Sequence, residues 1–266
     1  MAQSTVFTAM TTLLIVLASG CNPSIDNKRD IHGYAEIHKA TRDGNVELVE
    51  HLLLEQGAKV NNPDSDGLTP LHHAVKNGDL AMAKLLLQRH ADPKMTTKKG
   101  WDAVHLAVWR DNMMMFELVM SYRGITTRIT PDGWSTVHMA ACKGSPSLME
   151  ALFREWATTA EFGKPDLNKA DNSGATPLML ALRNENYGVC SVLIRKGASV
   201  EVMDKGGNTP LHLLAGTGNV ELAERMVLAG GMPNQVNQAG KTAFDVAMEK
   251  GDQVLAQYYW DGTKLP

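Results

Sequence analysis

The sequence is poor in cysteine and in aromatic residues, and both shortages narrow the choice of fold and function. Three cysteines among 266 residues are too few for a disulfide-stapled scaffold. Aromatic residues make up 6% of the chain while Met occurs 15 times, which indicates a mainly aliphatic interior. The formal net charge of -3 lacks the basic excess of an electrostatic nucleic-acid binder. The composition is that of an ordinary protein long enough to bury a core.

An apolar run stands at the beginning of the chain. Residues 7–18 (FTAMTTLLIVLA) are shorter than the about 20 residues that a membrane-spanning helix needs. The run ends in Ala18-Ser19-Gly20-Cys21, which resembles the bacterial lipobox, where small residues precede a cysteine that is lipidated and becomes the mature N-terminus. The sequence departs from that pattern at Ala18, where Leu is usual, and it has no Lys or Arg before the apolar run.

The lipobox resemblance implies a signal peptide over residues 1–20, a lipid anchor at Cys21 and a polar tether over residues 21–32. Several acyl chains on one cysteine would anchor the protein stably. Asn22 is not the Asp that commonly retains lipoproteins at the inner membrane, so the outer membrane is favoured. Two alternatives stay open. Either a plain secretory peptide is cleaved nearby and Cys21 is unmodified, or the chain is cytosolic and its apolar start is fortuitous.

A glycine followed by a stretch similar to x-T-P-L-H-x-A recurs through the rest of the chain. GLTPLHHA and GNTPLHLL are its clearest copies. Four of the six intervals between successive glycines are 33 residues, one is 34 and one is 41. The opening glycines are Gly33, Gly67, Gly100, Gly133, Gly174, Gly207 and Gly240. A fixed period of this length is typical of repeat solenoids.

The period and the TPLH stretch resemble the ankyrin repeat. The resemblance covers residues 33–260 and implies an all-α solenoid of about seven helix-turn-helix repeats with short loop fingers. The repeats start near residues 33, 67, 100, 133, 174, 207 and 240, and residues 261–266 form a tail. Residues 45–53 and 219–227 place apolar side chains at helical spacing. One pair of short helices cannot bury its apolar face alone, so neighbouring repeats must stack.

Five of the nine histidines recur with the period and could suggest a metal site. They are His38, His72, His105, His138 and His212. The ankyrin resemblance implies instead that they form hydrogen bonds between neighbouring loops. Histidines on repeats that are stacked about 10 Å apart could not coordinate the same metal ion, because a ligand atom lies about 2 Å from the metal. Cys142 and Cys190 align with positions that point in different directions, which disfavours a disulfide between them.

The remaining motifs favour a structural interpretation over a catalytic one. In the run from Met113 to Phe116, the alignment of the repeats points Met114 outward and the other side chains into the core. The glycine pairs at 206–207 and 230–231 indicate turns between repeats. The chain contains no GxSxG, CxxC, HExxH or Walker-type sequence. We therefore expect no enzymatic activity, no cofactor and no metal site.

The concave face is where ankyrin proteins usually bind their partners, and it is formed by the fingers and the first helices. Three of the five tryptophans fall at family positions exposed there, in the third and fourth repeats. Trp and Arg are the residues most enriched at binding hot spots. Alternatively, each Trp covers the edge of a neighbouring repeat and contributes stability alone. The predicted partner-binding residues are Lys98, Lys99, Trp101, Trp109, Arg110, Asp132, Trp134, Lys143 and Trp156.

The 41-residue interval is 8 residues longer than the regular period of 33. The additional residues lie near Trp156 to Lys164. Insertions in repeat proteins lie in loops and are often functional. This one either brings Trp156 to or near the surface or lengthens a helix that packs against the fifth repeat.

Together these features predict a protein-protein interaction module tethered at the bacterial envelope and facing the periplasm. We expect a monomer that holds a protein partner on its concave face and binds no nucleic acid. The partner is expected to be an envelope protein. Alternatively, the chain is an immunity protein that neutralises a secreted toxin, for example a lipase or another hydrolase. A cytosolic ankyrin scaffold is the second alternative if the signal is misidentified.

Overall fold

The computed structural model of the chain describes residues 35–124, 127–158 and 166–262. These residues form fourteen helices joined by turns, with no strand among them. The helices are α1 (Glu36–Arg42), α2 (Val46–Leu54), α3 (Pro70–Asn77), α4 (Leu80–Gln88), α5 (Ala103–Trp109), α6 (Met113–Ser121), α7 (Thr136–Lys143), α8 (Pro146–Thr158), α9 (Pro177–Arg183), α10 (Tyr187–Arg195), α11 (Pro210–Leu214), α12 (Val220–Leu228), α13 (Ala243–Glu249) and α14 (Gln253–Gly262). The expected all-α class is confirmed.

The helices are arranged as antiparallel pairs stacked side by side. The odd-numbered helices pack against one another from α1 to α13 and form one row. The even-numbered helices lie behind them as a second row. Between consecutive pairs the chain forms a finger-like turn whose glycine has a positive φ, as at Gly100 with φ 74°. A Cβ on Gly100 would lie 2.5 Å from Pro131 Cδ in the next finger, so adjacent fingers are in close contact.

Local sequence explains why each helix begins where it does. Thr69, Asp102 and Thr176 are N-caps whose side chains accept from the backbone N–H three residues later. Pro follows the cap in α3, α9 and α11, where its missing N–H costs nothing. Most of the second helices are capped by Asp or Asn, for example Asn112 ahead of α6 and Asn186 ahead of α10, whereas Ser145 precedes α8 and accepts from the N–H of Leu148. These caps satisfy backbone N–H groups at the start of each helix, which matters because such groups are a large share of the total in helices this short.

The periodic histidines connect the repeats, as the resemblance implied. The ring Nδ1 lies within hydrogen-bond distance of its own N-cap residue, and Nε2 lies within hydrogen-bond distance of a backbone carbonyl oxygen in the next finger. The Nε2 to carbonyl distances are 2.7 Å for His38 and Asn62, 3.0 Å for His72 and Met95, 3.3 Å for His105 and Arg128, 3.0 Å for His138 and Lys169, and 2.9 Å for His212 and Lys241. In most of these repeats Nδ1 accepts from a backbone N–H, so Nε2 carries the donated proton.

The apolar core runs continuously through the stack between the two helix rows. Met115 and Phe116 are fully buried in it and Met114 is 65% exposed, which confirms their expected orientations. Cys190 is buried and Cys142 is partly buried, and both are free thiols. No helix in the described ranges has the length and apolar character needed to cross a bilayer. The apolar run at 7–18, the tether and Cys21 lie outside those ranges.

Trp156 does not lie at the surface as one interpretation of the insertion expected. It is 6% exposed, and its ring packs edge-on against Phe153 with centroids 5.1 Å apart. The physical reason is that α8 continues to Thr158, so Trp156 stays on the buried face of a 13-residue helix. Trp156 is therefore a core residue and is not available to a partner in this structure. Residues 159–165 lie outside the described part of the chain.

The buried histidines make stability depend on pH. Burial lowers the pKa of His72 to about 4 and also lowers the pKa values of His73 and His138. The unfolded chain takes up protons below about pH 6.5 while these folded rings stay neutral. The contribution of these histidines to the free energy of unfolding is therefore complete above that pH, and it is lost as the pH falls toward the pKa of the folded state. When the pH falls from about 7.5 to 5, the titration of His72 alone should lower the free energy of unfolding by roughly 2 kcal/mol.

Urea unfolding at several pH values measures this loss. His72→Asn should make the dependence shallower, whereas His90→Asn, at an exposed ring, should leave it unchanged. If the stability of His72→Asn depended on pH as steeply as that of the native chain, His72 would not be the source of the pH dependence.

Candidate functional site

An open groove of about 740 Å³ lies beside the third repeat and is the candidate site. Its lining comes from two adjacent fingers and from the C-terminal ends of the first helices α3, α5 and α7. The residues that line it are Asp66, Leu68, Lys76, Thr97, Lys98, Lys99, Trp101, Leu106, Trp109, Arg110 and Lys143. We refer to this set as the concave groove.

The aromatic floor of the concave groove is built from two different elements. Trp101 lies on a finger and Trp109 ends α5, and their rings meet edge-on with centroids 5.4 Å apart. The Trp109 ring also lies 5.9 Å from the ring of Trp134, on the following finger. All three rings are partly buried and pack against the core. The stacking of repeats brings together three tryptophans that are up to 33 residues apart in sequence.

The fingers that carry two of the tryptophans are rigid. Trp101 donates its backbone N–H to Thr97 Oγ1 at 3.2 Å, and its carbonyl accepts from the N–H of Thr97 at 2.8 Å. Trp134 has the same pair of bonds with Thr130, at 3.1 and 2.8 Å. The N–H of Lys98 donates to the carbonyl of Asp66 at 2.9 Å and joins one finger to the next. The groove is therefore shaped before any partner arrives.

Trp134 differs from its two neighbours in its polar contact. Its indole Nε1 donates to Asp171 Oδ2 at 3.0 Å, and the other oxygen of that carboxylate accepts from Ser173 and Ala175. Burial acts to raise the pKa of Asp171, and the hydrogen bonds from Ser173 and Ala175 outweigh it and hold the pKa below its usual range. Trp134 thus ties the fourth finger to the fifth. The structure supports a stabilising role for Trp134 and leaves Trp101 and Trp109 as the open aromatic surface.

The concave groove gathers most of the residues predicted from the sequence. Lys98, Lys99, Trp101, Trp109, Arg110 and Lys143 line it. Trp134 adjoins it through Trp109, whereas Asp132 is exposed on the next finger and is absent from the lining. Trp156 belongs to the core.

Sequence reasoning omitted Leu68, Lys76, Thr97 and Leu106 from its set of contact residues, although they line the groove. Leu68 and Lys76 occupy the same repeat positions as Trp101 and Trp109, which was an available signal. No comparable signal marked Thr97 and Leu106.

The polar groups nearest to the groove floor are engaged in contacts that stabilise the fold. Asp102 and His105 are fully buried behind it, and Asp102 Oδ1 lies 2.7 Å from His105 Nδ1. The second oxygen of Asp102 faces Arg128 Nε at 3.3 Å. Burial raises the pKa of the Cys142 thiol to about 11, so this cysteine is a poor nucleophile. Stacked helix pairs with an open, aromatic side groove define a helical-repeat binding scaffold.

Comparison with known proteins identifies the family. A family model described as ankyrin repeats (3 copies) matches residues 5–97, 37–130, 71–166 and 104–204, and an ankyrin repeat model matches residues 206–238. The chain belongs to the ankyrin-repeat family, whose repeats form protein-protein interaction modules and are generally non-enzymatic.

Solved structures with a similar fold are ankyrin domains. The ankyrin repeat domain of human ASB11 matches with a TM-score of 0.72 and 24% identity, covering 88% of this chain and 100% of that one. The ankyrin repeat domain of Bcl-3 matches with a TM-score of 0.66 and 24% identity, covering 84% of this chain and 99% of that one. At this level of identity the likeness shows the fold alone.

Curated relatives are larger proteins. The human transient receptor potential cation channel subfamily A member 1 is 34% identical over 210 residues, which are 76% of this chain and 18% of the channel. The mouse palmitoyltransferase ZDHHC13 is 33% identical over 223 residues, which are 83% of this chain and 29% of the transferase. The chain thus spans less than a third of either relative.

The hydrogen bond from Trp134 to Asp171 should be measurable as stability. Trp134→Phe keeps an aromatic ring, although a smaller one, and removes the hydrogen bond, whose loss should cost roughly 1.5–3 kcal/mol because the acceptor is charged. Trp101→Phe is the matched control, because no partner of its indole N–H is seen in the described ranges. Equal losses of unfolding free energy in the two variants by urea titration would show that the bond contributes nothing.

Proposed function

We propose that this chain is a non-enzymatic binding scaffold that holds a protein partner in the concave groove. The observation that carries this proposal is the edge-on contact of Trp101 and Trp109 inside an open groove of about 740 Å³. Tryptophan dominates binding hot spots because its large ring is desolvated on contact with a partner. A surface of this kind suits protein binding, which is the general function of ankyrin repeats.

Preorganisation also favours binding at this place. The backbone of Trp101 is fixed by Thr97, and Trp109 is fixed by its helix and by its contacts with two neighbouring rings. A rigid aromatic surface loses little conformational entropy when it binds, so more of the contact energy appears as affinity. The buried polar pair Asp102 and His105 serves the frame, and this supports the non-enzymatic interpretation.

We further propose that the scaffold is a monomer displayed at the bacterial envelope, facing the periplasm, through a lipid on Cys21. The support is the sequence 7–21, with its apolar run followed by Ala18-Ser19-Gly20-Cys21. A short tether over 21–32 would hold the groove close to the membrane and near other envelope proteins. Capture of one partner with very high affinity would favour the immunity function, in which that partner is a secreted toxin.

Site-specific photocrosslinking tests the groove. A photoreactive residue at position 99, in the groove, should capture the partner in intact cells, whereas one at position 84, on the exposed side of α4, should not. Trp101→Ala combined with Trp109→Ala should lower capture at least about tenfold, since hot-spot losses of ~2 kcal/mol or more are typical.

Trp260→Ala is the control, because Trp260 is 50% exposed and lies on α14, far along the stack. Undiminished capture by a folded double variant, as judged by its circular dichroism melt, would exclude the groove. If the double variant unfolds, Trp101→Ala alone provides the comparison, since Trp101 lies on a finger and not in a helix.

Metabolic labelling with radioactive palmitate tests the anchor. The native chain should be labelled and should fractionate with membranes, while Cys21→Ser should lose both properties because the acylated thiol is gone. Cys142→Ser is the matched control and should retain the label. An unlabelled native chain in the soluble fraction would exclude the lipid anchor.

A further inference from the structure

The concave groove has a positive charge that the rest of the chain does not share. Five of its lining residues are cationic and one is a carboxylate, Asp66. The cations are Lys76, Lys98, Lys99, Arg110 and Lys143. The whole chain has a formal net charge of -3. The excess of positive charge is therefore local to the groove.

Within the described ranges none of these five cations forms an ion pair, and Lys143 Nζ lies 5.9 Å from the centre of the Trp109 ring. Several cations elsewhere on the surface are paired with carboxylates. They are Arg89, Arg128, Arg154, Arg183, Arg195, Lys196, Arg225 and Lys241. An unpaired cluster around an aromatic floor is suited to a partner of opposite charge.

The finger that carries Trp101, and the finger after it, carry the same bias in their backbone hydrogen bonds. Three fingers are held by an Asp whose Oδ1 accepts from the N–H groups two and four residues later, at Asp64, Asp171 and Asp204. At the equivalent positions of the third and fourth fingers, Thr97 and Thr130 accept the later of these hydrogen bonds with a neutral hydroxyl. Two carboxylates are thus absent from the fingers that bear Trp101 and Trp134.

We propose that the occupant of the concave groove is an acidic protein segment that places an apolar side chain on Trp101 and Trp109. This inference rests on the proposed function and specifies the chemistry of its partner. Four of the five cations are lysines, which are mobile point charges that suit carboxylates spread along a segment. Leu68 and Leu106 extend the apolar floor and would contact the anchoring side chain.

Nucleic acid fits the groove less well. Phosphate-backbone binding needs an extended basic track, because the affinity comes from neutralising many phosphates. Here the positive charge is confined to one groove on a chain of net charge -3. The aromatic floor would accept bases by stacking, so single-stranded DNA serves as the competing probe.

The experiment uses the full chain and three labelled probes of about twelve residues or nucleotides in fluorescence anisotropy titrations. The first is a peptide with central Phe and Leu flanked by Asp and Glu, the second has the same centre flanked by Lys, and the third is oligothymidine. The acidic peptide should bind at least about tenfold more tightly than the others. It contains no Trp, so the emission of the chain's own tryptophans should also change. Its affinity should fall as salt is raised from about 50 to 300 mM.

Charge reversal provides the matched variants. Lys98→Glu with Lys99→Glu should weaken the acidic peptide about tenfold, whereas Lys84→Glu, at an exposed position on the outer helix α4, should leave it unchanged. Thermal melts by circular dichroism establish that each variant is folded.

The proposal is overturned if the basic peptide or oligothymidine binds as tightly as the acidic peptide. It is also overturned if none of the three probes binds. The same holds if the affinity for the acidic peptide is unchanged in the variant that combines Lys98→Glu with Lys99→Glu. The proposed function fails on a different result, because photocrosslinked capture that depends on Trp101 and Trp109 requires no particular charge. Trp-dependent capture combined with charge-independent binding would retain the scaffold and remove the acidic partner.

Discussion

The hydrogen bond from a buried histidine to a carbonyl oxygen of the next finger is the contact on which the rest of the structure depends. It recurs from His38 to His212 at five of the six junctions between the described helix pairs, and only the fifth pair, with Met179 at this position, lacks it. Each histidine is also bonded to the residue that caps its own helix, so one ring fixes both the start of a helix and the position of a loop. Because every pair is short, this connection and the shared core replace the stability that single helices lack.

The concave groove follows from that regularity and from its local exceptions. Regular stacking places each finger next to the end of a first helix, which brings Trp101 against Trp109. The exceptions determine what the groove can bind. Thr97 and Thr130 stand where other fingers have aspartate, and the cations around the rings form no ion pair with the residues that the structure describes. The frame is therefore common to the family, whereas the chemistry of the surface is particular to this chain.

The tryptophans illustrate how much of the site was predictable. Their positions in the repeat placed Trp101, Trp109 and Trp134 on one face, and the structure joins all three through ring contacts. The same reasoning failed for Trp156, because the period carries no information once a helix runs past its usual end. It also could not separate Trp134, whose indole donates to Asp171, from Trp101, whose indole has no hydrogen-bond partner among the described residues, because the Trp134 bond crosses to another repeat.

The amino-acid sequence by itself determined the fold, because a 33-residue period with Pro, Thr and His at fixed places specifies caps, turns and the bonds between repeats. It also determined which residue types occupy the exposed columns. The tertiary structure decided which of those residues share one groove, which cations lack a partner and which aromatic rings are covered. These properties depend on distances between side chains of different repeats, and such distances are defined only when the repeats are stacked.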